Sequence, residues 1–298
     1  DHVAAELFPQ YSRSRLQSWI KSGGLKVNGQ ALRTGFRLFG GESIVIEVFA
    51  TEVTSEPEDI ALDIVFEDEA LLVVNKPMGL VVHPGAGNHD GTLLNALLFH
   101  YPPLDAVPRA GIVHRLDKDT TGLLVVAKTL ESQHRLVQQL QDRSVKRIYE
   151  AVVYGVFEGP GKVDAAIGRH PSQRTKMTVR KDGKEAKTRY NVLKQFGEHT
   201  RLEVSLETGR THQIRVHMQH IHHSLIGDKT YGGGYKIPRN RHPALLEALQ
   251  LFTRPALHAR ELSLQHPLTD EDCHWSVPIP ADIEGLLASL SLADLDEG

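Results

Sequence analysis

Cysteine occurs once in the 298 residues, as Cys273. One thiol can close no internal disulfide and build no cysteine-cluster metal site, so a reducing cytoplasm is the expected setting. Long apolar runs are also lacking. The longest, such as Leu71–Asn75 and Gly122–Ala127, fall far short of the roughly 20 residues a membrane-crossing helix needs, and they read as buried strands. No basic-then-apolar leader opens the chain, which starts at Asp1 rather than Met. There is no internal repeat and no low-complexity tract. What these absences leave is a globular chain, 40% hydrophobic, long enough for one large domain and a small one.

Acids are absent from one stretch. Residues 11–40 carry Arg13, Arg15, Lys21, Lys26, Arg33 and Arg37 and no Asp or Glu. Residues 169–189 carry eight Lys/Arg against Asp182 and Glu185. The balancing acids lie in Glu52–Glu69 and after Asp282, so the net charge of −3 is an average over segregated regions. Local positive faces of this kind can neutralise phosphates whatever the sign of the total.

Residues 12–48 read as one compact unit. Leu16, Trp19 and Ile20 form a helical stripe behind Ser12 or Ser14 as cap, and Gly23-Gly24 ends it. Asn28-Gly29 is a hairpin turn, because both residues tolerate positive φ. Ile44–Val48 alternates like a strand. From Leu62 onward, strands are expected at Ile64–Phe66, Leu71–Asn75, Gly122–Lys128, Ile148–Tyr154, Thr188–Lys194 and Arg201–Leu206. Helices are expected at Thr92–Tyr101, Leu130–Asp142 and Thr211–Ile221, with Thr92 and Thr129 as N-caps. Short turns join many of the strands, which favours an α+β fold with a mixed, mainly antiparallel sheet. The expected domains are 1–50, an acidic linker 51–62 and a larger domain 63–298.

Three stretches could carry chemistry. In Gly111–Gly122 a polar loop, His114-Arg115-Leu116-Asp117-Lys118-Asp119, interrupts two apolar strands. A carboxylate there can act as nucleophile or base, and a neighbouring arginine can hold phosphate or stabilise charge. In Glu207–His217, Arg210 and Thr211 stand at a helix start, where unpaired amides favour an anion, and Arg215 follows about one turn later. In Lys146–Ala151, an inward Ile148 would turn Tyr149 to the opposite side of its strand, towards a cleft, where it could stack on a base and exchange a proton. On composition alone, each also fits a solvated surface loop, an amphipathic helix or a structural strand tyrosine.

Taken in order, these motifs resemble those of the RluA-type pseudouridine synthases. His114-Arg115-Leu116-Asp117 with Thr120-Thr121-Gly122 matches their signature, and Asn75-Lys76-Pro77-Met78-Gly79 with Val82-His83-Pro84 matches their first motif. The other two stretches match the remaining motifs, and residues 12–48 resemble an S4-type RNA-binding domain. Thr121 stands where Ser is common and keeps the hydroxyl. The resemblance implies that Asp117 is the nucleophile, that Tyr149 stacks on the target base and assists proton removal, and that Arg215 pairs with Asp117. It implies that Ile214 packs against the base, that Arg115 fills the gap the base leaves, and that Lys76 and Pro77 support the site. His114, Arg210, Arg13, Arg15 and Lys21 are the further residues expected to meet RNA. The implied reaction isomerises uridine to pseudouridine in large-subunit ribosomal RNA, with the helix 69 loop as target. It asks for no cofactor, no metal, no membrane and no obligatory protein partner.

Competing readings fit less well. His217, His220, His222 and His223 suggest a metal, but no His-Glu-x-x-His motif accompanies them. Gly85-Ala86-Gly87 and Gly232-Gly233-Gly234 match no nucleotide-binding fingerprint. Asp117 and Asp119 need not converge as a glycosidase pair. A fold that binds RNA but has lost activity is the non-enzymatic alternative, and the presence of Asp117, Tyr149 and Arg215 together argues against it.

Overall fold

A computed structural model describes residues 2–8, 13–46, 55–85, 87–173, 175–239 and 241–295, without the side chains of Ser14, Arg15 and Ser18. It divides into two units, residues 1–54 and 55–298.

The first unit contains helices α1 (His2–Leu7) and α2 (Arg13–Ser22) and strands β1 (Leu25–Val27), β2 (Gln30–Ala31) and β3 (Ile44–Ile46). The expected stripe closes its core, with Leu16 and Ile20 buried against Leu25 and Val27 and Trp19 packed beside them. Gly23 ends α2 with φ +79°, and Asn28 and Gly29 take φ of 48° and 78°. That pair of left-handed residues makes the hairpin that sets Val27 opposite Gln30. The strand expected at Ile44–Val48 is described to Ile46; its last two residues, and the cap expected at Ser12, lie outside the described residues. A cavity of about 380 Å³ inside this unit is lined by Ala4, Ile20, Leu25, Val27, Phe36 and Leu38, among others, and contains none of the chemistry-bearing residues of the second unit.

The second unit is built on one sheet. Its strands are β4 (Ile64–Glu67), β5 (Leu71–Lys76), β6 (Thr121–Ala127), β7 (Lys146–Tyr154) and β8 (Gly161–Asp164), then β11 (Lys187–Phe196), β12 (His199–Leu206), β13 (Leu257–Gln265) and β14 (Asp272–Ser276). The order is β4-β5-β6-β13-β7-β12-β11-β8, with β14 also on β13. Among the described residues, the strands of this sheet pair antiparallel except β13 with β6. A separate ribbon pairs β9 (Ile167–Arg169) with β10 (Met177–Val179). The helices are α3 (Leu93–His100), α4 (Leu130–Gln141), α5 (Gln213–His220), α6 (Pro243–Leu251) and α7 (Ala281–Leu295).

Strand alternation explains why the apolar runs are continuous. Leu72, Val74, Leu124, Val126, Tyr149 and Ala151 share one apolar cluster with Leu97 of α3 and Ile214 and Met218 of α5. Leu71, Val73, Leu123 and Val125, on the other face, pack with Leu136 of α4. Val152 and Tyr154 meet α6 and α7 on that side. Strands covered on both faces have no solvated side, so β5 and β6 are apolar at nearly every position.

Residues 55–62, expected as linker, belong to the second unit. Ile60 and Leu62 pack on its main core, the Glu58 amide donates to the Asn95 carbonyl, and the Glu58 carboxylate accepts from the Gly91 amide. The apolar pair, rather than the surrounding acids, decides where this segment lies.

Candidate active site

Asp117 lies in the turn between Leu116, which is buried, and β6. The Thr120 amide closes this turn on the Asp117 carbonyl at 3.1 Å. Three further groups hold the loop by its backbone. The Gly79 amide and the Lys76 ammonium both donate to the Lys118 carbonyl, at 3.0 and 2.9 Å. The Arg254 guanidinium donates to the Asp119 carbonyl at 3.2 Å and forms a double ion pair with Asp282 at the start of α7. Lys76 is almost fully buried and also donates to the carbonyls of Pro77 and Leu80. Burial pushes its pKa down to about 8, with Asp119 and then Asp117 opposing that shift.

Gly122 lets β13 come close behind the loop. It has φ +111°, and a Cβ there would stand 2.2 Å from the Ala259 carbonyl oxygen. The Thr121 hydroxyl pairs with Nδ1 of buried His258 at 2.8 Å, which explains how Thr serves where Ser is common.

Arg215 comes from α5 and meets two carboxylates. Its Nη1 donates to Asp117 Oδ2 at 2.9 Å. Its Nε and Nη2 donate to Asp228 Oδ2 and Oδ1 at 2.7 and 2.9 Å, a two-pronged pair with a carboxylate only 1% exposed. Burial would lower the Arg215 pKa; the Asp228 hydrogen bonds and charge, with Asp117 adding to them, raise it instead, so the guanidinium stays cationic. Asp228 itself is fixed by the amides of Thr230 and Tyr231. The expected Asp117–Arg215 pair is therefore present, one arm of a three-residue bridge.

Tyr149 and Ile214 are both buried in the cluster that backs this bridge. Burial raises the Tyr149 pKa, the Arg147 charge opposes that, and the nearby Asp117 charge adds to it. The strand alternation is the reverse of the one expected: Tyr149 is the buried residue and Ile148 is half-buried. The tyrosine ring is large and apolar enough to take the core position, while its neighbour Ile148, paired with Ser205 and Glu261, is only partly covered.

The other expected residues are dispersed. Arg115 is exposed beside the bridge. His114 is anchored by one ring nitrogen: its Nε2 accepts the Val125 amide at 3.1 Å, and burial, with Arg147 nearby, lowers its pKa to about 3. Arg210 does not reach Asp117. Its amide donates to the Gln213 side chain and its Nε to the Glu185 carbonyl, so the helix start expected to attract an anion is partly filled from within. Arg13 and Lys21 lie on α2 in the first unit, and the Arg15 side chain is outside the described residues. His217, weighed above as a metal ligand, has both ring nitrogens engaged, by Thr188 Oγ1 and the Ala165 carbonyl.

Two more groups complete the site. His212 Nε2 stands 3.8 Å from Asp117 Oδ1, and His212 Nδ1 is 2.8 Å from the Tyr231 hydroxyl. The sequence offers only indirect signs of Asp228 and Tyr231. Gly227 precedes the acid with φ +77°, and a Cβ on Gly233 would lie 1.7 Å from the Leu225 carbonyl oxygen. A glycine-rich run that no fingerprint explains can mark such a tight backbone crossing.

Known proteins resemble this chain. Residues 70–220 match the family model described as RNA pseudouridylate synthase. The chain is 56% identical over 292 residues to ribosomal large subunit pseudouridine synthase D of Pseudomonas aeruginosa, covering 97% of this chain and 91% of that one. It is 52% identical over 299 residues to the protein of the same name from Escherichia coli strain K12, covering 100% and 91%. Among solved structures, human RNA pseudouridylate synthase domain containing 4 is similar with a TM-score of 0.59 at 27% identity, covering 76% of this chain and 92% of that one. A loop carboxylate bound by a buried arginine, on a mainly antiparallel sheet and inside a matching family model, leads to one assignment: the chain belongs to the RNA pseudouridylate synthase family, and is an isomerase that acts on RNA.

Proposed function

We propose that this enzyme converts uridines of large-subunit ribosomal RNA to pseudouridine, with the helix 69 loop as its target and Asp117 as nucleophile. The observation that carries this reading is the half-held carboxylate. Arg215 takes Oδ2 of Asp117 and no described hydrogen bond takes Oδ1, in a carboxylate 16% exposed. One oxygen is anchored and the other is open to a substrate. The names of the relatives support ribosomal RNA as the substrate class.

The chemistry fits such a site. The N1–C1′ bond breaks, the uracil turns, and C5 bonds to C1′; the C5 proton leaves and N1 gains one, so no redox partner is required. A uracil must first leave its stack, at a cost of a few kcal/mol. Exposed Arg115 can fill the gap it leaves. Tyr149 and Ile214 supply an apolar wall for the base, and the raised Tyr149 pKa keeps its hydroxyl protonated at neutral pH. The first unit, read as S4-like, holds RNA through phosphates by Lys21 and its neighbours. The enzyme works in the cytoplasm, without cofactor.

Tritium release from C5-labelled uridine RNA tests the reaction. Mapping pseudouridines in cells lacking the protein tests the target. If helix 69 keeps all its pseudouridines there while another RNA loses one, the target assignment fails and the reaction stands.

A further inference from the structure

Asp117 has a second neighbour besides Arg215, and its hydrogen-bond chain fixes its chemical form. The Tyr231 hydroxyl accepts the Met177 amide at 2.8 Å. A phenol has one hydrogen to give. Its other described partner is His212 Nδ1, at 2.8 Å. The arrangement that uses every polar atom has the hydroxyl donating to Nδ1, which leaves the ring hydrogen on Nε2. The same tautomer follows from the far side, where Nε2 faces a carboxylate oxygen, an acceptor only. The two ends agree.

The backbone is also specialised. His212 caps α5 with φ 57° and ψ 21°, in the left-handed region, which is uncommon for residues other than glycine although histidine enters it more readily than most. Strain of that kind persists where surrounding contacts over-determine it, and such places cluster at functional sites. In this conformation the ring's Nε2 lies 3.8 Å from Asp117 Oδ1.

We infer that His212 is a positioning residue of this site: as a neutral, Nε2-protonated ring held in register by Tyr231, it presents an N–H to the open oxygen of Asp117. This rests on the reading of Asp117 as nucleophile. At 3.8 Å the contact is not yet a hydrogen bond. Catalytic hydrogen bonds are often long without substrate and tighten in the complex. With Oδ2 on Arg215 and Oδ1 met by His212, the carboxylate plane is fixed by two donors from adjacent turns. A neutral donor can do this without competing with Arg215 for the charge. The groups facing His212 are Asp117 and Arg115 from the catalytic loop, Arg215 from α5, and Asp228 and Tyr231 from the following loop. Burial lowers the His212 pKa, Asp117 and Asp228 oppose this, and Arg215 and Arg115 reinforce it.

The test uses the full chain and a ribosomal RNA fragment that the wild type modifies, in single-turnover assays across pH, with RNA affinity measured separately. Losing one charge-assisted donor lowers a rate by about 10- to 100-fold. His212→Leu should therefore be slower by about that factor, with affinity unchanged. His212→Gln, whose amide reaches the place of Nε2, should recover most of the rate. Tyr231→Phe frees Nδ1 to take a second proton, so its rate should acquire a fall towards acid that the wild type lacks. A wild-type rate in His212→Leu overturns the inference. So does a loss confined to affinity, or a His212→Gln as slow as His212→Leu at equal thermal stability. If His212→Leu fails to fold, a Tyr231→Phe enzyme with wild-type rate and a flat pH profile overturns it. Asp117→Asn, run in parallel, separates the levels: activity in that variant sinks the nucleophile reading, whereas an inactive Asp117→Asn beside a normal His212→Leu sinks this inference alone.

Discussion

The cleft around Asp117 and the surface of the first unit both rely on charge, and they use it in opposite ways. In the cleft, Arg215 is buried and bound by two carboxylates, and the loop behind Asp117 is tied by Lys76 and Arg254. On the first unit, Lys21, Arg33 and Arg37 are exposed, and the acid that follows them in sequence, Glu42, accepts from the Phe39 and Gly40 amides. Fixed charge is suited to chemistry, because its geometry costs no reorganisation when the reaction occurs. Unbound surface charge is suited to gripping a polyanion, because it can exchange counterions for phosphates. The second basic stretch stands between the two. Arg180 is paired with Asp182, Lys187 with Glu185, and Arg189 with Glu207. Two stretches that look alike as compositions therefore present different fields.

The largest expected effect removes the fixed charge at its centre. Asp117→Asn should lower pseudouridine formation by at least about a thousandfold, with RNA affinity kept, and Asp119→Asn should retain substantial activity. Tritium release and filter binding measure the two quantities. An active Asp117→Asn would break the contrast at once, since the cleft would then be only another binding surface.

Arg215→Lys comes next. A single ammonium cannot span Asp117 and the buried Asp228, and breaking a buried pair costs about 3–5 kcal/mol. Turnover should fall by about a hundredfold, and the thermal midpoint should fall with it. An enzyme that tolerates lysine here would show that the bridge's geometry does not matter.

Acid should act on the catalytic unit through histidines that folding keeps neutral. Burial lowers His114 to about 3 and His258 to about 4, against 6.5 when exposed. The unfolded chain then binds more protons below pH 6.5. Stability from these groups is full above that pH and is lost as pH falls towards their folded values. By pH 5 each of these two histidines should cost about 2 kcal/mol, about 4 kcal/mol together, read from denaturant midpoints. A midpoint unchanged between pH 7 and 5 would contradict it.

Salt is the matching lever for the first unit. Replacing Lys21, Arg33 and Arg37 together by Gln should weaken RNA binding about tenfold at low salt and flatten its salt dependence by about one unit of slope per lost phosphate contact. The smallest effect sharpens the comparison. Arg180→Gln with Arg189→Gln removes two charges already paired, and affinity should change by less than about twofold. An equal loss in both variants would mean that the ion pairs open when RNA binds.

Much of this was legible in the sequence, for identifiable reasons. The Asn28-Gly29 hairpin and the strands from Leu71, Gly122 and Ile148 follow from local turn chemistry and apolar runs, which need no knowledge of the rest of the chain. The Asp117–Arg215 pair, 98 residues apart, came from ordered motifs and not from periodicity. Strand β13 was not legible. In Leu257–Gln265 its His258, Arg260 and Glu261 interrupt the apolar pattern, and the first two are explained only by distant partners: Thr121 for His258, Glu150 for Arg260. Asp228 was hidden for the same reason. A buried acid is invisible until the arginine that compensates it is placed beside it.

The position of β13 between β6 and β7 also sets a timetable. Both neighbours, β6 (Thr121–Ala127) and β7 (Lys146–Tyr154), are synthesised a hundred residues or more before it (Leu257–Gln265). At roughly 5–20 residues per second, the emerging chain carries them for several seconds before the strand that joins them exists. During that interval two apolar strands have open edges, the kind of surface that pairs with the wrong partner. The catalytic loop is completed later still, when Asp282 arrives to hold Arg254. A nascent chain arrested before Leu257 should therefore be degraded readily by protease, and resistance should appear only once the segment through α7 has left the ribosome.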